Sequence, residues 1–111
     1  NGGESVDDDY AIEFVNDGGK NVNVYISNGS TTSLDIDDAD SIILQAWTGD
    51  KGYEDVRTYT DVASDKYDAA QGGHRFVLTG AGEAPTPAGT CRVIVEIDGV
   101  TLTSDPFTVS Y

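Results

Sequence analysis

Cys91-Arg92-Val93-Ile94-Val95-Glu96-Ile97-Asp98-Gly99-Val100-Thr101-Leu102-Thr103 is the stretch that decides how this chain folds. Cys91, Val93, Val95 and Ile97 occupy every second position, the period of a strand with one face turned inward. Asp98-Gly99 then supplies the dipeptide that closes a two-residue hairpin, where both positions need positive φ. A turn at that point sets Ile97 opposite Val100 and Val95 opposite Leu102, so the apolar side chains meet on one face. Slipping the pairing by one residue would turn the whole set to water, which specifies the register strongly.

The same period recurs outward from this hairpin. Tyr10, Ile12 and Phe14 alternate, then Val22, Val24 and Ile26, then Phe76 and Leu78, then Phe107, Val109 and Tyr111. Turn residues separate the runs: Asn16-Asp17-Gly18-Gly19, Asn28-Gly29-Ser30, Thr48-Gly49-Asp50-Lys51-Gly52 and Ser104-Asp105-Pro106. Residues 41–47 are apolar on both faces (Ile42, Leu44 and Ala46, then Ile43 and Trp47), which predicts a central strand covered on both sides. Residues 53–63 alternate as a half-exposed strand, and residues 31–36 form a weak one. Residues 64–73 read as a polar loop with one helical turn at 65–70. Pro85 and Pro87 keep residues 80–89 out of a ladder. The sum is eight or nine short strands and no long helix, the pattern of an all-β, antiparallel sandwich of two sheets. Its expected core is Ile12, Phe14, Val22, Val24, Ile26, Ile42, Leu44, Trp47, Phe76, Leu78, Val93, Val95, Ile97, Leu102, Phe107 and Val109. As the plug of that core, Trp47 would cost about 3–5 kcal/mol on truncation to Ala.

The 111 residues suffice for one compact domain, 10–111, preceded by a flexible acidic tail, 1–9. Twenty Asp and Glu against six Lys and Arg give a formal charge of -14. That sign disfavours nucleic acid, which needs clustered Lys and Arg, and also disfavours anionic membrane surfaces. No apolar run approaches the length of a membrane-spanning helix. No basic, apolar, cleavage-site sequence opens the chain. The chain lacks Met and starts at Asn1, which fits either a processed precursor or a piece of something longer. With 15 Asp and only three Lys, the surface suits a salty medium, where self-repulsion is screened, as in proteins of halophiles or marine organisms. An ordinary acidic secreted protein is the other reading. A single cysteine, Cys91, excludes an intrachain disulfide and reads as a small core residue.

Few residues carry a chemical signal. Asp35, Asp37, Asp38 and Asp40 lie close enough in sequence to offer several oxygens to calcium. Counted from Asp35, an EF-hand would need Gly at position 40 and Glu at position 46, where this chain has Asp40 and Ala46. The cluster is therefore either a solvated acidic loop or a calcium loop of another kind. Asn28-Gly29-Ser30 matches the N-glycosylation sequon, and the same Asn-Gly serves equally as a hairpin turn. His74, the lone histidine, has no nucleophile elbow beside it and reads as a strand-start residue. Tyr25, Trp47, Tyr53, Tyr59 and Tyr67 are candidates for a sugar-stacking face, against which stands the β-propensity of tyrosine. No constellation meets the minimum for catalysis, so no enzyme and no cofactor beyond calcium is expected.

Gly89-Thr90-Cys91-Arg92-Val93-Ile94-Val95-Glu96-Ile97-Asp98-Gly99-Val100, with Ser104-Asp105-Pro106-Phe107-Thr108-Val109 after it, resembles the closing strands of immunoglobulin-like modules of prokaryotic surfaces and phage virions. The resemblance covers about the last 23 residues and lacks the cysteine pair of antibody domains. It implies an immunoglobulin-like sandwich displayed on a virion, a cell surface or outside the cell. The expected role is a non-catalytic structural or assembly module, meeting other protein subunits at sheet edges or loop ends. The alternative is a carbohydrate- or calcium-binding sandwich.

Overall fold

The hairpin at Asp98-Gly99 forms as its dipeptide dictates. Asp98 and Gly99 take φ of 51° and 79°, the mirror-image turn that only Gly and short polar residues enter easily. Ile97 faces Val100 and Val95 faces Leu102. Around this hairpin, a computed structural model describes residues 10–17, 21–27, 38–65, 67–80 and 89–109. The described residues form nine strands and no helix: β1 (Ala11–Asp17), β2 (Val22–Ser27), β3 (Ala39–Trp47), β4 (Tyr53–Val62), β5 (Tyr67–Asp68), β6 (Gly73–Leu78), β7 (Gly89–Ile97), β8 (Val100–Thr103) and β9 (Phe107–Val109). They make two antiparallel sheets, a four-stranded one ordered β1-β2-β6-β5 and a five-stranded one ordered β4-β3-β7-β8, with β9 also on β7.

The four central strands supply the core. Val22, Val24 and Ile26 of β2 and Phe76 and Leu78 of β6 meet Ile42, Leu44 and Ala46 of β3 and Cys91, Val93, Val95 and Ile97 of β7. All but Ala46, at 3%, are without solvent exposure. Each of the larger ones stabilises the fold by about 1.5–3 kcal/mol. Ile12, Leu102 and Phe107 pack against this cluster half-buried, as flanking strands should.

Two expected core residues are elsewhere. Trp47 is 54% exposed and Phe14 is 42% exposed. Trp47 follows the parity of Ile43 and Gln45, not that of Leu44 and Ala46, so its strand carries it outward. Phe14 is turned out by a bulge. Ile12 pairs with Ile26 but Phe14 pairs with Tyr25, leaving Glu13 as the extra residue. The face then flips, and Val15, opposite the buried Val24, takes the inward place. The turn expected at residues 65–70 is no helix. It is the two-residue β5 and a hairpin loop into β6, closed by the Asp68 carboxylate accepting the N–H of Ala70 at 2.9 Å and of Gln71 at 3.3 Å. The tail at 1–9, the weak strand at 31–36, residues 81–88 of the loop expected at 80–89, Tyr111 and the Val109 side chain lie outside what is described, and Gly89 of that loop already pairs with Val109 in the ladder.

Among the described residues each sheet edge is interrupted. β1 carries the bulge at Glu13, and β5 is two residues long. β4 has its own bulge at Val56, and beside it Arg57 sits opposite the buried Leu44, on the inward side. β8 and β9 form one edge broken by Ser104-Asp105-Pro106, none of which pairs in the ladder. There the buried Ser104 substitutes for it: its N–H donates to the Val93 carbonyl, and its Oγ accepts the Val93 N–H, both at 2.9 Å.

Candidate functional site

Trp47 ends β3 and Tyr53 begins β4 directly opposite it, so the connecting loop places two aromatic rings side by side on the outer face of the five-stranded sheet. The loop is closed by two hydrogen bonds to the Gly52 carbonyl, from the Thr48 N–H at 2.8 Å and the Thr48 hydroxyl at 2.7 Å. The rings meet edge to face, 5.2 Å between centroids at 67°. A Cβ at Gly52 would stand 3.8 Å from the Trp47 ring, so the indole rests against this turn. One row along, Asp55, Gln45 and Arg92 line up across β4, β3 and β7. The Arg92 Nε–H donates to Gln45 Oε1 at 2.8 Å, and Gln45 Nε2 donates to Asp55 Oδ1 at 2.8 Å. The Arg92 guanidinium also lies 4.0 Å above the centre of the Tyr53 ring, a cation–π contact that ties the polar row to the aromatic pair.

The opposite outer face carries a second, differently built row. Phe14, Tyr25 and Arg75 stand abreast on β1, β2 and β6, with the Phe14 and Tyr25 rings 6.1 Å apart. Arg75 makes an exposed ion pair of 2.6 Å with Asp65, which raises the guanidinium pKa above its ordinary value. Beside Phe14, a groove of about 200 Å³ runs between the edges of the two sheets, lined by Ile12, Phe14, Val15, Pro106 and Phe107, with Glu13 and Asp105 among them.

The residues singled out from sequence are dispersed. Asp35, Asp37 and Asn28 lie outside the described residues. Asp38 and Asp40 are exposed at the start of β3, and among the described residues no three His, Cys, Asp or Glu side chains are grouped to hold a metal. His74 and Cys91 sit on different sheets and are both buried. The His74 Nδ1 is 3.0 Å from the Asp65 carbonyl oxygen, which can only accept, so Nδ1 carries the proton and pins this segment to β6. Burial pushes the Cys91 thiol up from its ordinary 9.0. Of the five aromatic candidates, only Trp47 and Tyr53 share a patch. Tyr25 lies on the other sheet, Tyr67 packs edge-on against His74, and Tyr59 faces the core opposite Ile42. Gln45, Asp55 and Arg92 were not singled out, because the row they form depends on pairing three strands. Only Gln45, two residues from Trp47 on the same face, could have been found locally. Comparison with protein-family models, characterised proteins and solved structures finds no match.

Proposed function

We propose that this chain is a non-catalytic assembly module, displayed on a virion or cell surface or outside the cell, that receives a side chain of a neighbouring subunit in the groove between β1 and β9. The observation that carries this reading is Phe14, a large apolar ring 42% exposed at a groove that Ile12, Val15, Pro106 and Phe107 also line. Exposed aromatic side chains at a concave surface are the residue type on which protein contacts concentrate their energy. The groove, at about 200 Å³, is smaller than a typical small-molecule site and suits a single large side chain. Glu13 and Asp105 in its wall and the charge of -14 favour a partner segment flanked by Lys or Arg. The acidic, lysine-poor surface supports display in a salty exterior.

Photo-crosslinking in the producing cells tests this reading. A benzophenone side chain at position 14 should form a discrete adduct with another subunit, and the same probe at Thr60, on the opposite face, should not. Equal labelling from both positions, or none from position 14, would sink it.

A further inference from the structure

We infer that the outer face of the five-stranded sheet holds a second site, distinct from the groove and independent of its reading, which binds an uncharged saccharide across Trp47, Tyr53, Gln45, Asp55 and Arg92. The site is built rather than incidental. An indole normally belongs in a core, yet this one is 54% exposed and is held by the Tyr53 ring at 5.2 Å and by the Gly52 turn. The polar groups beside it are already ordered: Arg92 donates to Gln45 and Gln45 donates to Asp55, each at 2.8 Å. Binding to such a row costs little further side-chain entropy.

Ligand class follows from chemistry and charge. Successive same-face rows of a strand are about 6.7 Å apart. A ring seated on Trp47 therefore presents its rim to the Gln45–Arg92 row. That row offers both kinds of partner a hydroxyl needs, guanidinium and amide N–H donors and a carboxylate acceptor. A pyranose has the matching form, with a C–H face for the exposed Trp47 ring and hydroxyls around its edge. Arg92 and Asp55 balance each other, and the chain as a whole, at -14, repels anions. Both facts select a neutral ligand over a sulfated or uronic one. A protein partner fits less well. Among the described residues the apolar area here is two rings, bordered by exposed Thr48, Gly49, Asp50 and Lys51, whereas a stable protein interface buries about 800 Å² on each side.

Trp47 is the single tryptophan, so its fluorescence reports this site alone. The full chain is titrated with neutral hexasaccharides of glucose, mannose, galactose, xylose and N-acetylglucosamine, and with a heparin hexasaccharide. At least one neutral oligomer should shift the emission saturably, and heparin should not. Arg92→Ala and Gln45→Ala should each weaken that binding by about tenfold or more. Calorimetry should show it lost in Trp47→Ala, whose circular dichroism should match the parent, and kept in Thr60→Ala on the same face. A spectrum unmoved by every neutral oligomer overturns the proposal. So do equal binding by Trp47→Ala, preference for heparin, and a response only to a protein partner.

Discussion

Ser104 shows how much one hydroxyl does where a strand breaks. Pro106 has no N–H, and the ladder between β7 and the outer edge lapses at Ser104-Asp105-Pro106, yet the buried Val93 N–H is still satisfied by Ser104 Oγ at 2.9 Å. Ser104→Ala removes that acceptor and leaves a buried donor unpaired, so unfolding in urea should show a loss of about 1–3 kcal/mol. Trp47→Ala should cost much less than a core truncation. With the ring half exposed, its edge-to-face contact with Tyr53 is what goes, and the loss should be about 1 kcal/mol by the same measurement. The alternation of residues 42–47 contained this answer, since Trp47 has the parity of Ile43 and Gln45. Hydrophobicity argued for burial and parity for exposure, and the strand geometry prevailed.

Elements were legible where the determining contacts are local. Asp98-Gly99 dictates its own turn, and the pairing of Val95 with Leu102 follows from it. The β1 bulge was not legible, because a single extra residue is accommodated by β2, 14 positions away along the chain, where Ser27 donates to Glu13 at 2.6 Å. The row of Asp55, Gln45 and Arg92 was hidden for the same reason, its members coming from three strands. Close approach between elements makes a further demand. A Cβ at Gly73 of β6 would stand 2.9 Å from the Ile26 backbone, so Gly73→Ala must push β6 off β2. Thermal and urea denaturation should report a loss of about 1–3 kcal/mol. Two strands, β7 and β4, also carry a pH response. Burial pushes up the Cys91 thiol on β7 from 9.0 and, against the opposing Arg57 guanidinium, the Tyr59 phenol on β4 from 10.0. Above those ordinary values the unfolded chain loses its protons first, so it binds fewer than the folded one and stability falls as pH rises. Urea midpoints should be level with respect to these two groups up to about pH 9 and decline beyond it. Cys91→Ala should remove the first part of that decline.

At the scale of the whole molecule the dominant quantity is the charge of -14 carried by 111 residues. Like charges this numerous oppose the compact state, and salt shortens their reach from about 30 Å at 0.01 M to about 3 Å at 1 M. The melting temperature should therefore climb steadily with sodium chloride over that range. A flat or falling curve would show that self-repulsion is not what limits this fold. The molecule has a polarity of another kind, with an ordered aromatic and polar row on the outer face of one sheet and, where the edges of the two sheets meet, a groove walled by apolar side chains together with Glu13 and Asp105. The interrupted edges bear on both. Where β1 bulges, β5 stops after two residues, β4 bulges beside an inward arginine and β8 breaks before Pro106, no edge among the described residues offers an incoming chain a long straight run of free amides. Molecules crowded shoulder to shoulder therefore meet, along these described edges, bends and gaps that discourage strand-to-strand joining.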